Sequence, residues 1–197
     1  MVLGYFTEPR HLSAKSCLDE IDVDIHCDGQ MPTVTLVVQD VIFGHVEQAR
    51  LELSVHNVRN PERFPLGSQK PVLAYPSGYG TLSGGNILRL VRTRSGEWAI
   101  PVGVEDDMPH LPCSAEWFLK PHAIEFARPL PTRALDEYGK KDIRELESNP
   151  DVTIRNGMVE LRAGILLSEI YALRERIPSL TEQDQVFLRP CLRETEP

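Results

Sequence analysis

Ala49-Arg50-Leu51-Glu52-Leu53-Ser54-Val55-His56 alternates apolar and polar residues with a period of two. Successive side chains of a pleated strand leave by opposite faces, so this octapeptide predicts a strand with one dry face and one wet face. Upstream, the apolar stretch from Val34 to Val41 is placed to pair with it across Phe43-Gly44-His45. Further upstream, Ile21, Val23 and Ile25 alternate with Asp22, Asp24 and His26 in the same manner. Three β segments are therefore expected, over about 21–26, 33–42 and 46–58, before Asn60-Pro61 and Phe64-Pro65 break the pattern. Residues 1–16 carry little periodicity and read as an arm that Phe6 and Leu12 tack onto the body or onto a neighbouring subunit.

Downstream, residues 87–92 and 97–102 read as a hairpin around Arg94-Ser95-Gly96, because Gly96 supplies the positive φ that a short β connection requires. Six prolines punctuate the stretch from Pro101 to Pro131, and each disfavours helix in the residue before it. Trp117, Phe118, Ile124 and Phe126 give that stretch too much aromatic and aliphatic area for a solvated linker, so an ordered excursion is expected. Leu135, Tyr138, Ile143 and Leu146 approximate one helical face that stops before Pro150, with Gly139 weakening it. Asn156-Gly157 is the preferred pair for a two-residue type I′ turn and predicts a hairpin joining 151–155 to 158–162. Leu166, Ile170, Leu173 and Ile177 then recur at helical spacing, and Ser179 with Glu182 reads as a capping box for a last short helix.

These readings give an α+β protein, a predominantly antiparallel β-sheet or sandwich with a C-terminal helix-plus-hairpin unit. The organisation expected is an arm over 1–16, a β body over 17–104, a proline-rich irregular segment over 105–131 and an α/β unit over 132–197 packed on the body. With 197 residues, 41% hydrophobic and 25% charged, the chain is large enough to bury a core without staples. Its formal charge of -8 makes attraction to nucleic acid or to an anionic bilayer unfavourable, so neither nucleic-acid binding nor membrane insertion is expected. A basic or neutral protein is the easier partner, and a second copy of the chain is another. Cys17, Cys27, Cys113 and Cys191 are far apart with no Cys-x-x-Cys, and the N-terminus lacks a basic stretch followed by a long apolar run. No signal peptide or transmembrane segment is seen, and a cytoplasmic or other reducing compartment is expected.

Four places carry side chains with chemical potential. The glycine-rich loop from Tyr75 to Asn86 lacks the Gly-Lys-Ser/Thr of a phosphate-binding loop and leads into a strand instead of a helix. Tyr75, Tyr79 and Asn86 there suit a protein-binding tip, since tyrosine offers large contact area at low entropic cost. Asp22 and Asp24, with Asp19, Glu20 and Asp28 nearby, put carboxylates along one strand, where they guard an edge and suit a basic partner. The segment Glu105-Asp106-Asp107-Met108-Pro109-His110-Leu111-Pro112-Cys113 with His122 beyond is the densest reactive set. Asp107, His110, Cys113 and His122 have the donor types that zinc accepts, although paired ligand knuckles are missing. Cys113 beside an imidazole also allows thiolate chemistry, but no oxyanion element accompanies it.

Trp98-Ala99-Ile100-Pro101-Val102-Gly103 resembles the W-x-x-P-x-G strand of the Nudix hydrolases over less than a tenth of the chain. The carboxylate box that would hold their metal does not follow at the required distance, so membership is not assigned. The function expected is non-catalytic: a protein-binding or assembly component such as a virion, secretion-machine or inhibitor-type subunit, with no catalytic residue and no cofactor. The competing expectation is a small metal-dependent or cysteine hydrolase centred on Asp106, Asp107, His110, Cys113 and His122, with zinc as its cofactor.

Overall fold

A computed structural model describes residues 1–7, 33–44, 46–56, 70–75, 81–83, 87–102 and 118–177. The described residues fall into two compact units, those up to Arg89 belonging to one and those from Leu90 to the other. The architecture is α+β, with three mostly antiparallel sheets and two α-helices among the described residues.

The first unit is built on β1 (Val2–Phe6), β2 (Thr33–Val41), β3 (Arg50–His56), β4 (Val72–Ala74), β5 (Thr81–Ser83) and β6 (Ile87–Arg89). Their order is β5-β3-β2-β1-β4-β6, antiparallel except for the parallel pair β3 and β5. The octapeptide that opened the sequence reading supplies β3, with Leu53 buried, Leu51 half-buried and Arg50 and Glu52 exposed. It lies antiparallel to β2, with Val34 opposite Leu53 and Leu36 opposite Leu51, as its alternation demands.

Val2–Phe6, placed in a weakly patterned arm by the sequence reading, is instead a central strand between β2 and β4. Its alternation was hidden because Leu3 and Tyr5 are themselves largely apolar and Gly4 stands at one of the inward positions. A Cβ on Gly4 would lie 2.3 Å from the Val37 carbonyl oxygen, so only glycine allows the two backbones to approach there. At the same place the β1 to β2 register slips, Leu3 facing Asp40 and Gly4 facing Val38, which leaves Gln39 as the extra residue of a bulge. Val2, Phe6, Val34, Leu36, Leu53, Val72, Ala74 and Ile87 form the core on one face. Leu73 and Leu88 are buried as well, and the pleat sends them to the opposite face. The Met1 α-amine is folded into this unit, donating to the Phe43 carbonyl at 2.6 Å, while the Met1 carbonyl accepts from Ile42 and Phe43.

The second unit contains β7 (Val91–Arg92), β8 (Trp98–Val102), β9 (His122–Ala123), β10 (Pro131–Ala134), β11 (Val152–Arg155), β12 (Met158–Leu161) and β13 (Ala163–Leu166). It also holds α1 (Lys140–Ser148) and α2 (Leu167–Arg176). One expected strand over 87–92 is two in the fold, since Ile87–Arg89 pairs with β4 and Val91–Arg92 turns to pair with β8. The hairpin around Gly96 is present, with Gly96 at φ +92°. So is the Asn156-Gly157 hairpin, whose turn residues sit at φ +51° and +73°. Within the proline-rich stretch, residues 118–131 are ordered, with Leu119, Ile124 and Leu130 buried.

The helical face expected from Leu135 to Leu146 divides at Gly139. Leu135–Glu137 is a single 3₁₀ turn, and Gly139 caps the start of α1, its N–H donating to the Asp142 carboxylate. Leu146 of α1 packs on Val152 and Val159 of the three-stranded sheet β10-β12-β11. In α2, Ile170 and Leu173 are buried as the spacing predicts, with Ile177 just past its end. Leu166 differs: it ends β13 and caps the helix, because the Glu169 carboxylate reaches back to its N–H at 2.8 Å. The Ser179 to Glu182 capping box lies outside the described residues.

The remaining sheet, β7-β8-β13-β9, closes on itself. His122 pairs with Gly164 on β13, and the chain then continues until Phe126 bridges Thr93, the residue after β7. The Arg94 N–H donates to the Glu125 carbonyl and the Ala127 N–H to the Arg92 carbonyl, one on each side of that bridge. Closure of this kind removes open edges from a small sheet. It requires close passage over β13, and Gly164 provides it: a Cβ there would lie 2.6 Å from the Ile100 carbonyl and 3.3 Å from the Phe126 ring.

Candidate functional site

A groove of about 400 Å³ opens along the closing seam of this sheet, lined by Thr93, Arg94, Ser95, Glu97, His122, Ile124, Glu125 and Leu166 among others. The β7 to β8 turn forms one wall, and β9 with its continuation forms the other. Thr93 is the hub of the turn wall. Its buried hydroxyl lies 2.8 Å from Ser95 Oγ and accepts the Glu97 N–H at 3.0 Å, which locks the tight turn in place. Across the seam, Arg94 pairs with Glu125 at 3.1 Å, both side chains being mostly exposed.

At the end of the groove nearest α2, Ser168 donates to the Glu97 carboxylate at 3.0 Å. His122 Nδ1 stands 3.6 Å from Glu169 Oε1, while Glu169 Oε2 is held by the Leu166 N–H. Glu169 therefore caps the helix through one oxygen and faces the imidazole with the other. Outside the groove, Arg92 stacks over the Trp98 ring at 4.0 Å and donates to the Gly96 carbonyl, which stiffens the same hairpin.

The charged groups lining the groove are the carboxylates of Glu97 and Glu125 and the guanidinium of Arg94, with the His122 imidazole beside them and the Glu169 carboxylate just beyond. Their pairings hold the groove's shape and leave it with an acidic balance at neutral pH.

Of the residues singled out from sequence, His122 lies in this groove, and Tyr75 is half-buried immediately after β4 in the other unit. Tyr79, Asn86, Asp22, Asp24, Asp106, Asp107, His110 and Cys113 lie outside the described residues. Among the described residues no group of three or more His, Cys, Asp or Glu side chains is gathered as a metal site, and no helix is long and apolar enough to cross a membrane. Sequence reading missed Thr93, Glu97, Glu125 and Glu169. Only Glu169 carried a local signal, an acidic residue in the first turn of an amphipathic helix. The others are brought together by the closure of the sheet, which no periodicity announces. Comparison with known proteins finds no matching family model, no matching curated protein and no matching solved structure.

Proposed function

We propose that the protein is a non-catalytic binding or assembly component whose partner is a protein with a basic contact surface, as in an inhibitor-type, virion or secretion-machine subunit. The observation that carries this reading is the groove: a shallow cleft with an acidic balance along the seam of the closed sheet, with polar side chains tied to one another. Ser168 to Glu97 and Thr93 to Ser95 are mutual pairings that maintain a surface, and Arg94 to Glu125 is an exposed pair across the seam. Acidic surfaces of this kind steer basic partners and set orientation.

Size-exclusion chromatography with light scattering tests it. The expected result is a stable homo-oligomer or a co-purifying basic protein, with the complex weakened at least tenfold by Glu97→Lys while circular dichroism is unchanged. A monomer that retains no partner and is indifferent to Glu97→Lys overturns the reading.

One observation favours a second reading, a small hydrolase: the His122 imidazole stands beside the Glu169 carboxylate at 3.6 Å, and zinc ligands and general bases alike use an imidazole next to a carboxylate. About one equivalent of zinc surviving dialysis, and lost in Cys113→Ala, would support that reading over the first.

A further inference from the structure

We infer that residues 125–129 are a strap that lifts off β7 while both of its ends stay anchored, so that the closed sheet of the second unit opens along one seam without unfolding.

The two anchors lie on the same short piece of chain. Ile124, buried, donates its N–H to the Arg162 carbonyl, and Leu130, also buried, accepts from the Leu161 N–H. Between these anchors Glu125, Ala127, Arg128 and Pro129 are exposed, and only Phe126 is partly covered.

The contacts of the strap with β7 are few. They comprise the single Thr93 to Phe126 bridge, the backbone bonds from Arg94 to Glu125 and from Ala127 to Arg92, and the Arg94 to Glu125 ion pair. That ion pair has side chains 79% and 64% exposed, the range in which such pairs contribute little. On the far side, Ala123 and His122 form ladder pairs with Ala163 and Gly164, and the buried Ile124 secures that seam.

Local opening follows the regions with few buried apolar contacts and exposed backbone hydrogen bonds, and the β7 seam has both properties. The strap's apolar side chain, Phe126, is half-buried and lays its ring against Gly164, where the absent Cβ leaves a flat seat shared with the Ile124 side chain. Lifting it widens the groove and frees the Arg94 N–H and the Arg92 carbonyl as an unpaired strand edge.

Residue-resolved amide hydrogen exchange on the full chain tests this. The Arg94 and Ala127 amides are expected to exchange at least tenfold faster than the neighbouring Thr93 amide, bonded within its own turn to Glu97, and than the Ile124 amide at the anchor. Equal protection of all four amides overturns the inference, since the seam would then open only with its surroundings.

The double variant R94C/E125C supplies the second arm. These residues adjoin the Thr93 to Phe126 bridge and are joined by the backbone bond from Arg94 to Glu125, a placement that suits a disulfide. Oxidised, it should slow the Ala127 amide to the rate of Ile124, and reduced, it should restore fast exchange. An Ala127 rate unmoved by the crosslink overturns the inference as well.

Discussion

The six-stranded sheet of the first unit and the closed four-stranded sheet of the second solve the same problem by different physics. In the first, long ladders line up apolar side chains in cross-strand rows, such as Phe6, Leu36 and Leu51, and burial supplies the stability. In the second, strands of two to five residues are too short for such rows, and the chain relies on the positive-φ turn glycine Gly96 and on Gly164, which lets one segment cross another. Side-chain bulk along the ladders governs the one, with Gly4 as its local exception at the bulge, and missing bulk at Gly96 and Gly164 governs the other.

Truncation should break the first sheet hardest. Phe6→Ala removes a fully buried ring from the middle of its core and is expected to cost about 3–5 kcal/mol, measured by urea denaturation. The second sheet should respond most to added bulk. Gly164→Val, whose side chain meets the Ile100 carbonyl and the Phe126 ring, is expected to cost about 3 kcal/mol and to expose the Arg94 and Ala127 amides to exchange. An innocuous Gly164→Val would erase the contrast between the two sheets.

A third test uses pH and concerns only the first unit. Burial lowers the Met1 α-amine pKa from 8.0 to about 6. Between those values the unfolded chain holds more protons than the folded one, so stability rises with pH from about 6 to about 8 and levels off above. The gain expected is roughly 2–3 kcal/mol, and urea midpoints at pH 5.5, 7 and 8.5 measure it. Acetylating the amine should abolish its part of the slope. The smallest effect is expected at the second unit's hairpin, where Gly157→Ala at φ +73° should cost about 1 kcal/mol by thermal unfolding, with strand content kept.

The same contrast explains what was legible in the sequence. β2 and β3 could be read because one face of each is apolar and the other more polar, and the Gly96 and Asn156-Gly157 turns because their residues tolerate the conformation required. β1 was not, since both of its faces are apolar and an apolar pentapeptide containing a glycine has no evident period. Gly139 was noticed as a weakness in a helix, and the fold uses it as a boundary, because a residue without a side chain costs least where a helix begins. The groove was almost wholly illegible. Thr93, Glu97, Glu125 and Glu169 span more than seventy positions and meet through tertiary closure, and His122 drew notice for its proximity in sequence to His110 and Cys113, with its partner Glu169 unseen.

The central position of Val2–Phe6 has a consequence for synthesis of the chain. This strand is made before both of its neighbours, residues 33–41 and 72–74, so one flank stays bare until the second of them has been synthesised. During that interval an apolar pentapeptide with an unmatched hydrogen-bonding edge is a natural client for a chaperone. The hairpin over 152–161, by contrast, closes through near neighbours as soon as it emerges.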